Sequence, residues 1–420
     1  MAHLQASQAL AAGIHSVPEA AGSFAATLAA HRFLNNERIS LPALAEPLIE
    51  AGRAEAAAAC DRYLLVVHDW SQLMYPQHDL KKDRAILSSK HAPEGYELQS
   101  AILVSDRDGS PLAPAVLSLR AADGVHCSRC GKVRKAESPL DELDPTMSYL
   151  ERQQLPKPLV HLIDAEADSV GHFRQWSQRS GRYFLVRADD RLVENADHER
   201  RCSAIRQELH EQGAFQATRE VLYQGKRAYQ WVAEVPVRLL RAAQRNRPKA
   251  GDRRRIAGAP LDLRLVIAEV RDAQGQVLAV WYLLTNVPAD LDAATIALWY
   301  YWRWSIESYF KLLKSAGMQV ESWQQETAAA IARRLLVASM ACVTVWRLAR
   351  SSHPQAEAAR HLLVRLSGRQ MKHKRPFTLP ALLAGLWVLI AMLEALNDYS
   401  LSDLRMLADV ALNHLRPQPP

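Results

Sequence analysis

The stretch RYLLVVHDW (residues 62–70) is a short apolar run, rich in β-branched residues, that ends in polar side chains. This pattern is typical of a central strand buried on both faces, and it puts Asp69 at the carboxyl end of the strand. PLVHLIDAEAD (residues 158–168) has the same pattern, with Asp164 where the apolar run stops. RYFLVRA (residues 182–188) predicts a further buried strand. Two strands that end in aspartate indicate one sheet with a functional site at its edge.

The composition indicates an ordered globular protein of two or three domains or one elaborated domain. The chain has 420 residues, 49% hydrophobic and 23% charged, and 52 Lys and Arg against 45 Asp and Glu give a net charge of +7. This excess favours a polyanionic partner without requiring one. Five cysteines do not make a disulfide framework in so long a chain, which indicates a reducing cytosol.

The ends of the chain do not predict secretion or membrane insertion. The start, MAHLQASQALAAG, lacks a basic segment followed by an apolar one, so we expect no secretion signal. The most apolar run, residues 382–396, is shorter than the roughly 20 residues that cross a bilayer. We expect it to form a helix that is buried or that contacts a second subunit.

Changes in hydrophobic periodicity along the chain predict an α/β core with an insertion and flanking helical regions. Residues 98–120 contain two apolar runs separated by Asp-Arg-Asp-Gly, which predicts a hairpin. Short alternating runs later in the chain predict antiparallel strands, and helical periodicity follows them. We expect a helical region at 1–60, the first part of the core at 61–190, a β-rich insertion at 191–290, the second part of the core at 291–345 and a helical, dimer-forming region at 346–420.

The stretch YYWRWSIESYFKLLKSAG (residues 300–317) predicts one continuous helix with a polar face beside an apolar one. At about 100° per residue, Tyr300, Arg303, Glu307 and Lys314 fall within an arc of about 60°. A neighbouring arc is apolar and predicted to face the core; it holds Trp299, Trp302, Ile306, Phe310 and Leu313. Taken alone, Arg303 and Glu307 are explained as an exposed i,i+4 ion pair worth a few tenths of a kcal/mol.

The spacing Tyr-x2-Arg-x3-Glu-x6-Lys resembles the Y-R-E-K signature of bacterial cut-and-paste transposases of the "insertion sequence four" group. The resemblance covers roughly residues 20 to 345. Asp69 in LLVVHDWS matches the first catalytic aspartate of that family, at the end of the first core strand. Asp164 in LIDAEAD matches the second, at the end of the fourth strand, and 142 residues separate it from Glu307, which leaves room for a β-rich insertion.

The resemblance implies both the fold and the activity. The fold would be a ribonuclease-H-like mixed-sheet α/β core with an inserted β-rich subdomain and flanking helical N- and C-terminal regions. The activity would be that of a DDE transposase, in which Asp69, Asp164 and Glu307 hold two Mg²⁺ ions and Mn²⁺ can substitute. Hard cations prefer carboxylate oxygens, and a pair of them assists phosphoryl transfer.

The family mechanism that the resemblance implies is cut-and-paste transposition. Water attacks a phosphodiester at the transposon end, and the freed 3′-hydroxyl forms a hairpin that is then resolved and attacks target DNA. The partners would be double-stranded DNA, at the transposon ends and at the target, and a second copy of the chain, with no membrane. We expect a bacterial cytoplasmic protein associated with the nucleoid.

Other residues suit DNA contacts. Arg303 and Lys314 can hold phosphates, Tyr300 can donate its hydroxyl, and Arg187 follows the YFLV strand. Trp281 matches the position where related transposases stack a flipped base, worth roughly 1 to 3 kcal/mol, although a core tryptophan is the alternative.

An arginine-rich segment gathers eight basic residues against one aspartate between positions 238 and 255. It predicts a phosphate-contacting loop, with Arg253, Arg254 and Arg255 as candidates, although a solvated linker is the alternative. Two other motifs are set aside. Cys127 and Cys130 form half of a zinc site with no second half in the sequence. Glu166 and Asp168 are expected to point away from Asp164.

Two other functions stay open at this point. Family members usually carry a further N-terminal segment with basic residues, and this chain opens in the later helices, which would fit a shortened DNA-binding inhibitor of transposition. A structure-specific nuclease with the same triad is the other alternative, but it would not need the Y-R-E-K residues or Trp281. The intact triad favours an active transposase.

Overall fold

The computed structural model describes residues 21–76, 78–86, 94–136, 138–244, 255–256, 258–314, 318–372 and 375–413. The chain separates into two compact units. The larger unit is Ile39–Tyr309, and the smaller one combines Met1–Arg38 with Phe310–Pro420.

The larger unit is built on one mixed sheet, with 14 strands in the described residues. In chain order the strands are β1 Leu64–Met74, β2 Ala85–Ile86, β3 Glu94–Ser105, β4 Pro111–Ala121, β5 Gly124–Cys127, β6 Gly131–Val133, β7 Leu159–Ile163, β8 Tyr183–Ala188, β9 Leu192–Asn195, β10 His198–Arg201, β11 Gln216–Tyr223, β12 Lys226–Leu239, β13 Ala243–Gln244, β14 Arg255–Ile256, β15 Leu261–Arg271 and β16 Val277–Thr285. β13 and β14 form a separate two-stranded ribbon.

Helices flank the sheet segments in sequence and dominate the smaller unit. In chain order they are α1 Ala21–Asn35, α2 Leu41–Ala59, α3 Leu143–Glu151, α4 Val170–Ser177, α5 Cys202–Glu211, α6 Ala293–Trp302, α7 Ser305–Leu313, α8 Ala328–Arg350, α9 Ala356–Leu366, α10 Leu379–Asp398 and α11 Leu401–Asn413. Short 3₁₀ helices lie at Pro139–Glu142, Ala165–Ala167 and Val320–Ser322. The boundary between the two units falls within α7.

The strand order confirms the predicted ribonuclease-H-like mixed α/β fold. The order is β10-β9-β12-β15-β16-β8-β7-β1-β3-β4-β5-β6, with β11 on β12 and β2 on β3. β1 pairs in parallel with β7, and β7 in parallel with β8, while β3 and β4 are antiparallel. The predicted hairpin of residues 98–120 is confirmed as β3 and β4. The β-rich insertion continues the same sheet, because β16 pairs antiparallel with β8.

The β1 strand is longer than its sequence predicted. The prediction put Asp69 at the end of the strand, but β1 continues to Met74. The physical reason is that its two neighbours end at different places. β3 pairs with β1 along its whole length, whereas β7 pairs only with residues 64–67. Asp69 therefore lies two residues beyond Val67, the last residue of β1 that pairs with its parallel neighbour β7.

The continuous helix predicted over residues 300–317 is wrong. The helix is interrupted by a turn between α6 and α7, and residues 315–317 lie outside the described part. At the break, the N–H of Arg303 donates to the carbonyl of Tyr300 at 3.1 Å, and that of Glu307 to Trp304 at 3.2 Å. These i to i−3 bonds wind the chain more tightly than an α-helix, so the assumed 100° per residue does not hold across the interruption.

The smaller unit contains long apolar helices. Two of the described helices, α8 and α10, are long and apolar enough to cross a membrane by length and composition alone. The run 382–396, expected to be too short, lies within the 20-residue α10. Core helices of soluble proteins share this length and composition, and α8 is largely buried. Helices α9 and α10 pack closely at Gly385, where a Cβ would collide with the backbone of Leu363.

Candidate active site

Strand register brings two aspartates and an arginine side by side on one face of the sheet. Val67 of β1 pairs with Leu162 of β7, so Asp69 and Asp164, each two residues further on, occupy matched positions. The register of β7 with β8 likewise matches Asp164 with Arg187. Neighbouring strands are about 4.8 Å apart, so two carboxylates at matched positions repel each other unless a cation lies between them.

Arg303 supplies that positive charge. Its Nη1 lies 2.7 Å from Oδ2 of Asp69, and its Nη2 lies 2.9 Å from Oδ2 of Asp164. The guanidinium is therefore shared between the two aspartates, one nitrogen for each, and Arg303 is only 6% exposed. A planar guanidinium has the fixed fork of donors that this arrangement needs, which the single ammonium of lysine cannot copy.

Three further contacts complete the surroundings of Asp164. Nη2 of Arg187 lies 2.8 Å from its Oδ1, and the hydroxyl of Tyr300 donates to the same oxygen over 3.4 Å. The backbone N–H of Ala165 also donates to it at 2.5 Å, because Asp164 is the N-cap of the 3₁₀ helix that follows β7. Residues from two strands and one helix end therefore converge on one carboxylate.

The pKa values in this cluster follow from burial and crowding. Burial raises the pKa of the Asp69 carboxyl above its ordinary value, and the attraction of Arg303 offsets this only in part. Burial also raises the pKa of the Tyr300 hydroxyl, with a further contribution from Asp164. Burial opposes the charge on Arg303, but Tyr300 and the two aspartates together raise the pKa of its guanidinium. Arg303 therefore stays charged.

Glu166 belongs to the same cluster, contrary to the sequence prediction that it points away. Burial raises the pKa of its carboxyl, and the next largest contributions are the negative charges of Asp69 and Asp164. The physical reason is the 3₁₀ helix that turns the chain back directly after Asp164. Asp168 does point elsewhere: it pairs with Arg191 and accepts a hydrogen bond from the N–H of Asp189. The sequence DAEAD places an acidic residue two positions after Asp164 but does not show which way it turns.

The last two signature residues, Glu307 and Lys314, lie on α7 and directly after it. Glu307 lies in the first turn of α7 with an exposed side chain. In the part of the chain that the structure describes, no three His, Cys, Asp or Glu side chains form a group that could hold a metal ion. Lys314 lies in the smaller unit, where its Nζ is 3.8 Å from Oε1 of Glu321.

Trp281 lies beside the cluster and is nearly buried. It is on β16, two residues from Leu283, the partner of Arg187, so both side chains leave the same face of the sheet. Its ring is 8% exposed and meets Tyr300 edge-on, with ring centroids 5.5 Å apart. Of the arginine-rich segment, Arg253 and Arg254 lie outside the described residues, and Arg255 is described only as part of the backbone of β14.

Asp69→Asn is expected to change the pH dependence of stability. The pKa of the Asp69 carboxyl is higher in the folded than in the unfolded chain, so its protonation stabilises the fold. This contribution is complete below the pKa of the unfolded chain, about 4, and is lost as the pH rises through the pKa of the folded chain. The free energy of unfolding of the variant relative to wild type should therefore rise from pH 4 to pH 7. Urea unfolding at several pH values measures this difference, and a difference that falls over the same range would contradict the burial argument.

A family model described as a transposase DDE domain matches residues 131–344, half of the chain. The matched segment contains Asp164, Arg303 and Glu307, and Asp69 precedes it. Comparison with curated proteins finds no match. The matched segment also contains β7, β8 and α6, the elements that carry most of the cluster described above. The chain therefore belongs to the family of DNA transposases that share this DDE domain.

Proposed function

We propose that this transposase uses divalent metal ions to cut its element from donor DNA and to join it to a target. The observation that carries the proposal is the pairing of Asp69 with Asp164 at matched positions on parallel strands, around one buried guanidinium. Membership of the family supports the class of reaction. The aspartate pair supports a catalytic site at this edge of the sheet. The bacterial nucleoid is the expected place of action.

Asp69, Asp164 and Glu307 would hold Mg²⁺, with Mn²⁺ as a substitute. The donor set fits such ions, because the residues offer carboxylate oxygens, the ligands that hard cations prefer. After burial, the negative charges of Asp69 and Asp164 are the next causes of the raised pKa of Glu166, and a dication would neutralise such charge. When bound, a pair of such ions activates the attacking oxygen and stabilises the leaving oxygen of a phosphodiester.

The position of Glu307 supports its role as the third carboxylate. It lies four residues after Arg303, the residue that contacts both aspartates. Its carboxylate is exposed in the first turn of α7. We propose that it joins the two aspartates when DNA and metal ions bind.

The cationic and phenolic residues would hold the DNA. Arg187 contacts Asp164, and 39% of its side chain remains exposed, so it can also reach a phosphate. Arg303 is far more buried, so its main role would be to hold the aspartates apart and in place, with phosphate contact secondary. Tyr300 would donate its hydroxyl to a phosphate oxygen, and Lys314 would add a point charge.

Trp281→Ala is expected to slow hairpin formation and resolution more than the first nick. We propose that Trp281 stacks a base flipped from the DNA end, which is worth roughly 1 to 3 kcal/mol. Gel analysis of labelled end DNA separates nicked, hairpin and open products. Trp281→Phe keeps an aromatic face and should retain most of the hairpin rate, so equal slowing of all steps in both variants would point to a purely structural tryptophan.

Replacing Arg253, Arg254 and Arg255 together by alanine is expected to reduce the salt dependence of DNA binding. Each phosphate contact contributes about 0.9 to the slope of log K against log salt, so losing all three would reduce the slope by up to about 3. Fluorescence anisotropy at several salt concentrations measures it. An unchanged slope would indicate that the segment is a solvated linker without phosphate contacts.

The smaller unit supports the proposed homodimer. Its last two helices carry apolar side chains that are at least 38% exposed in the described residues: Val388, Met392, Leu393, Leu396, Leu401, Met406, Leu407 and Val410. Soluble proteins rarely expose so many large apolar side chains together without a partner. A second copy of the chain is the partner that two-ended transposition requires.

The experiment that tests the proposed function uses the purified protein and the DNA that flanks its own gene. With Mg²⁺ we expect nicks at the element ends, then hairpins, then joined products, and with a chelator in place of Mg²⁺ we expect bound DNA without products. Replacing Mg²⁺ by Mn²⁺ should keep the products. Normal DNA binding without any product in either metal would overturn the proposal.

A further inference from the structure

Two cysteines flank the turn between β5 and β6. Cys127 is the last residue of β5, it pairs with Gly131 across the hairpin, and the N–H of Cys130 donates to the carbonyl of Cys127 at 3.4 Å. Gly131 has a φ of +82°, so the loop has the form of a β-turn closed by a left-handed residue. Cys127 and Cys130 are the first and fourth residues of this turn. Their Cα atoms therefore lie within about 7 Å, close to the separation that a disulfide spans.

The surroundings of the two sulfur atoms differ. Cys127 is fully buried, and the hydroxyl of Ser118 on the neighbouring strand donates to its Sγ at 3.0 Å. Cys130 is exposed. The turn is held against β4, because Ser128 and Leu117 exchange hydrogen bonds in both directions. One thiol is therefore open to reagents in solution, and a second is held beside it out of their reach.

The two thiols differ in acidity. The neighbouring Cys127 thiol is the main reason that the pKa of the Cys130 thiol is lowered to about 6, with a smaller contribution from Arg129. Burial raises the pKa of the Cys127 thiol well above its usual range. Thiolates, not thiols, attack disulfides. Cys130 is therefore the nucleophile of the pair, and Cys127 remains a protonated thiol.

The other cysteines do not share these features. Cys60, Cys202 and Cys342 are buried, and burial raises the pKa of each thiol. A low thiol pKa, exposure and an adjacent second thiol are the marks of redox-active rather than structural cysteine. Among the described cysteines these marks coincide at the β5–β6 turn.

We propose that Cys127 and Cys130 form a redox-active dithiol that closes to an intramolecular disulfide by exchange with small-molecule disulfides. In the first step the Cys130 thiolate attacks one sulfur of the reagent, forms a mixed disulfide and releases one thiolate. In the second step Cys127 gives its proton to water and attacks the sulfur of Cys130, releasing the second thiolate. Two protein thiols are oxidised, and one reagent disulfide is reduced to two thiols.

The proposed exchange uses none of the residues of the aspartate cluster. Both cysteines precede the segment matched by the transposase family. A disulfide here would close a loop of only four residues, which removes little chain entropy from the unfolded state. We therefore expect its formation to change the chemistry of this turn rather than to stabilise the whole fold.

The test uses the full-length protein, fully reduced and then exposed to glutathione disulfide. After alkylation of free thiols, trypsin cleaves after Arg129, so the two cysteines fall on separate peptides, residues 121–129 and 130–132. We expect mass spectrometry to find these peptides joined in the oxidised protein. Cys127→Ser should stop at a glutathione adduct on Cys130, and Cys130→Ser should leave Cys127 reduced. Cys202→Ser is the matched control and should leave the joined peptides unchanged.

Three results would overturn the proposal. The first is recovery of both peptides separately and alkylated after oxidation. The second is glutathione on Cys127 in the Cys130→Ser variant, which would remove the difference between the two thiols. The third is zinc that copurifies with the reduced protein and is lost in Cys130→Ser, which would make the turn half of a metal site shared by two chains.

Discussion

Asp164→Asn is expected to lower the rate of DNA-end cleavage by about a thousandfold or more. Asparagine keeps the size of the side chain and one oxygen, which can still accept hydrogen bonds from Arg187 and Ala165. It loses the negative charge that would hold a divalent metal ion, and such a contribution to phosphoryl transfer is worth several kcal/mol. Single-turnover cleavage of labelled end DNA in Mg²⁺ measures the effect.

The control is Asp262→Asn, which removes a carboxylate from a largely exposed ion pair with Arg238. Its cleavage rate should remain within about twofold of wild type, since exposed pairs contribute little. Binding of end DNA by Asp164→Asn, measured by gel shift, should be nearly unchanged. A cleavage rate within tenfold of wild type, with normal binding, would remove Asp164 from the catalytic site.

Arg303→Met is expected to lower the free energy of unfolding by about 3 kcal/mol at neutral pH. The change leaves Asp69 and Asp164 facing each other at matched strand positions without the guanidinium that they share. Removing one partner of a buried ion pair leaves uncompensated charge, which is strongly destabilising. Urea unfolding at pH 7 measures the loss.

Two comparisons distinguish the loss of charge from the loss of packing as the cause of destabilisation in Arg303→Met. Burial already raises the pKa of the Asp69 carboxyl, and the variant removes the attraction of Arg303 that opposes this rise. Protonation therefore favours the fold, and the loss should shrink as the pH falls from 7 towards the unfolded value of about 4. Adding Asp69→Asn and Asp164→Asn to Arg303→Met should recover most of the stability, and Arg238→Met is the exposed control. A loss independent of pH and of the added changes would mean that Arg303 acts through packing alone.

Local sequence patterns were sufficient for the strands and for the likeness to a family. The apolar runs before Asp69 and Asp164 predicted β1 and β7, and both strands are present. The Asp-Arg-Asp-Gly turn predicted the β3–β4 hairpin. These features depend on residues close together in the chain, because hydrophobic runs and turn residues act over a few positions.

The same local reasoning failed at the helix break and at Glu166. A helical wheel assumes uniform i to i−4 bonding, so it could not foresee the tighter bonds at Arg303 and Glu307. It also could not show that the Arg303 guanidinium contacts both Asp69 and Asp164. The direction of Glu166 is set by the 3₁₀ helix after β7, which no periodic pattern indicates.

The sequence by itself determined which segments are strands, which carry aspartates near their ends, and that the chain resembles a DDE transposase. Only the tertiary structure decided that Asp69 and Asp164 stand at matched positions and that Arg303 lies between them. The physical reason is range: strand formation follows from neighbouring residues, whereas register is fixed by hydrogen bonds between strands whose aspartates are about 95 positions apart.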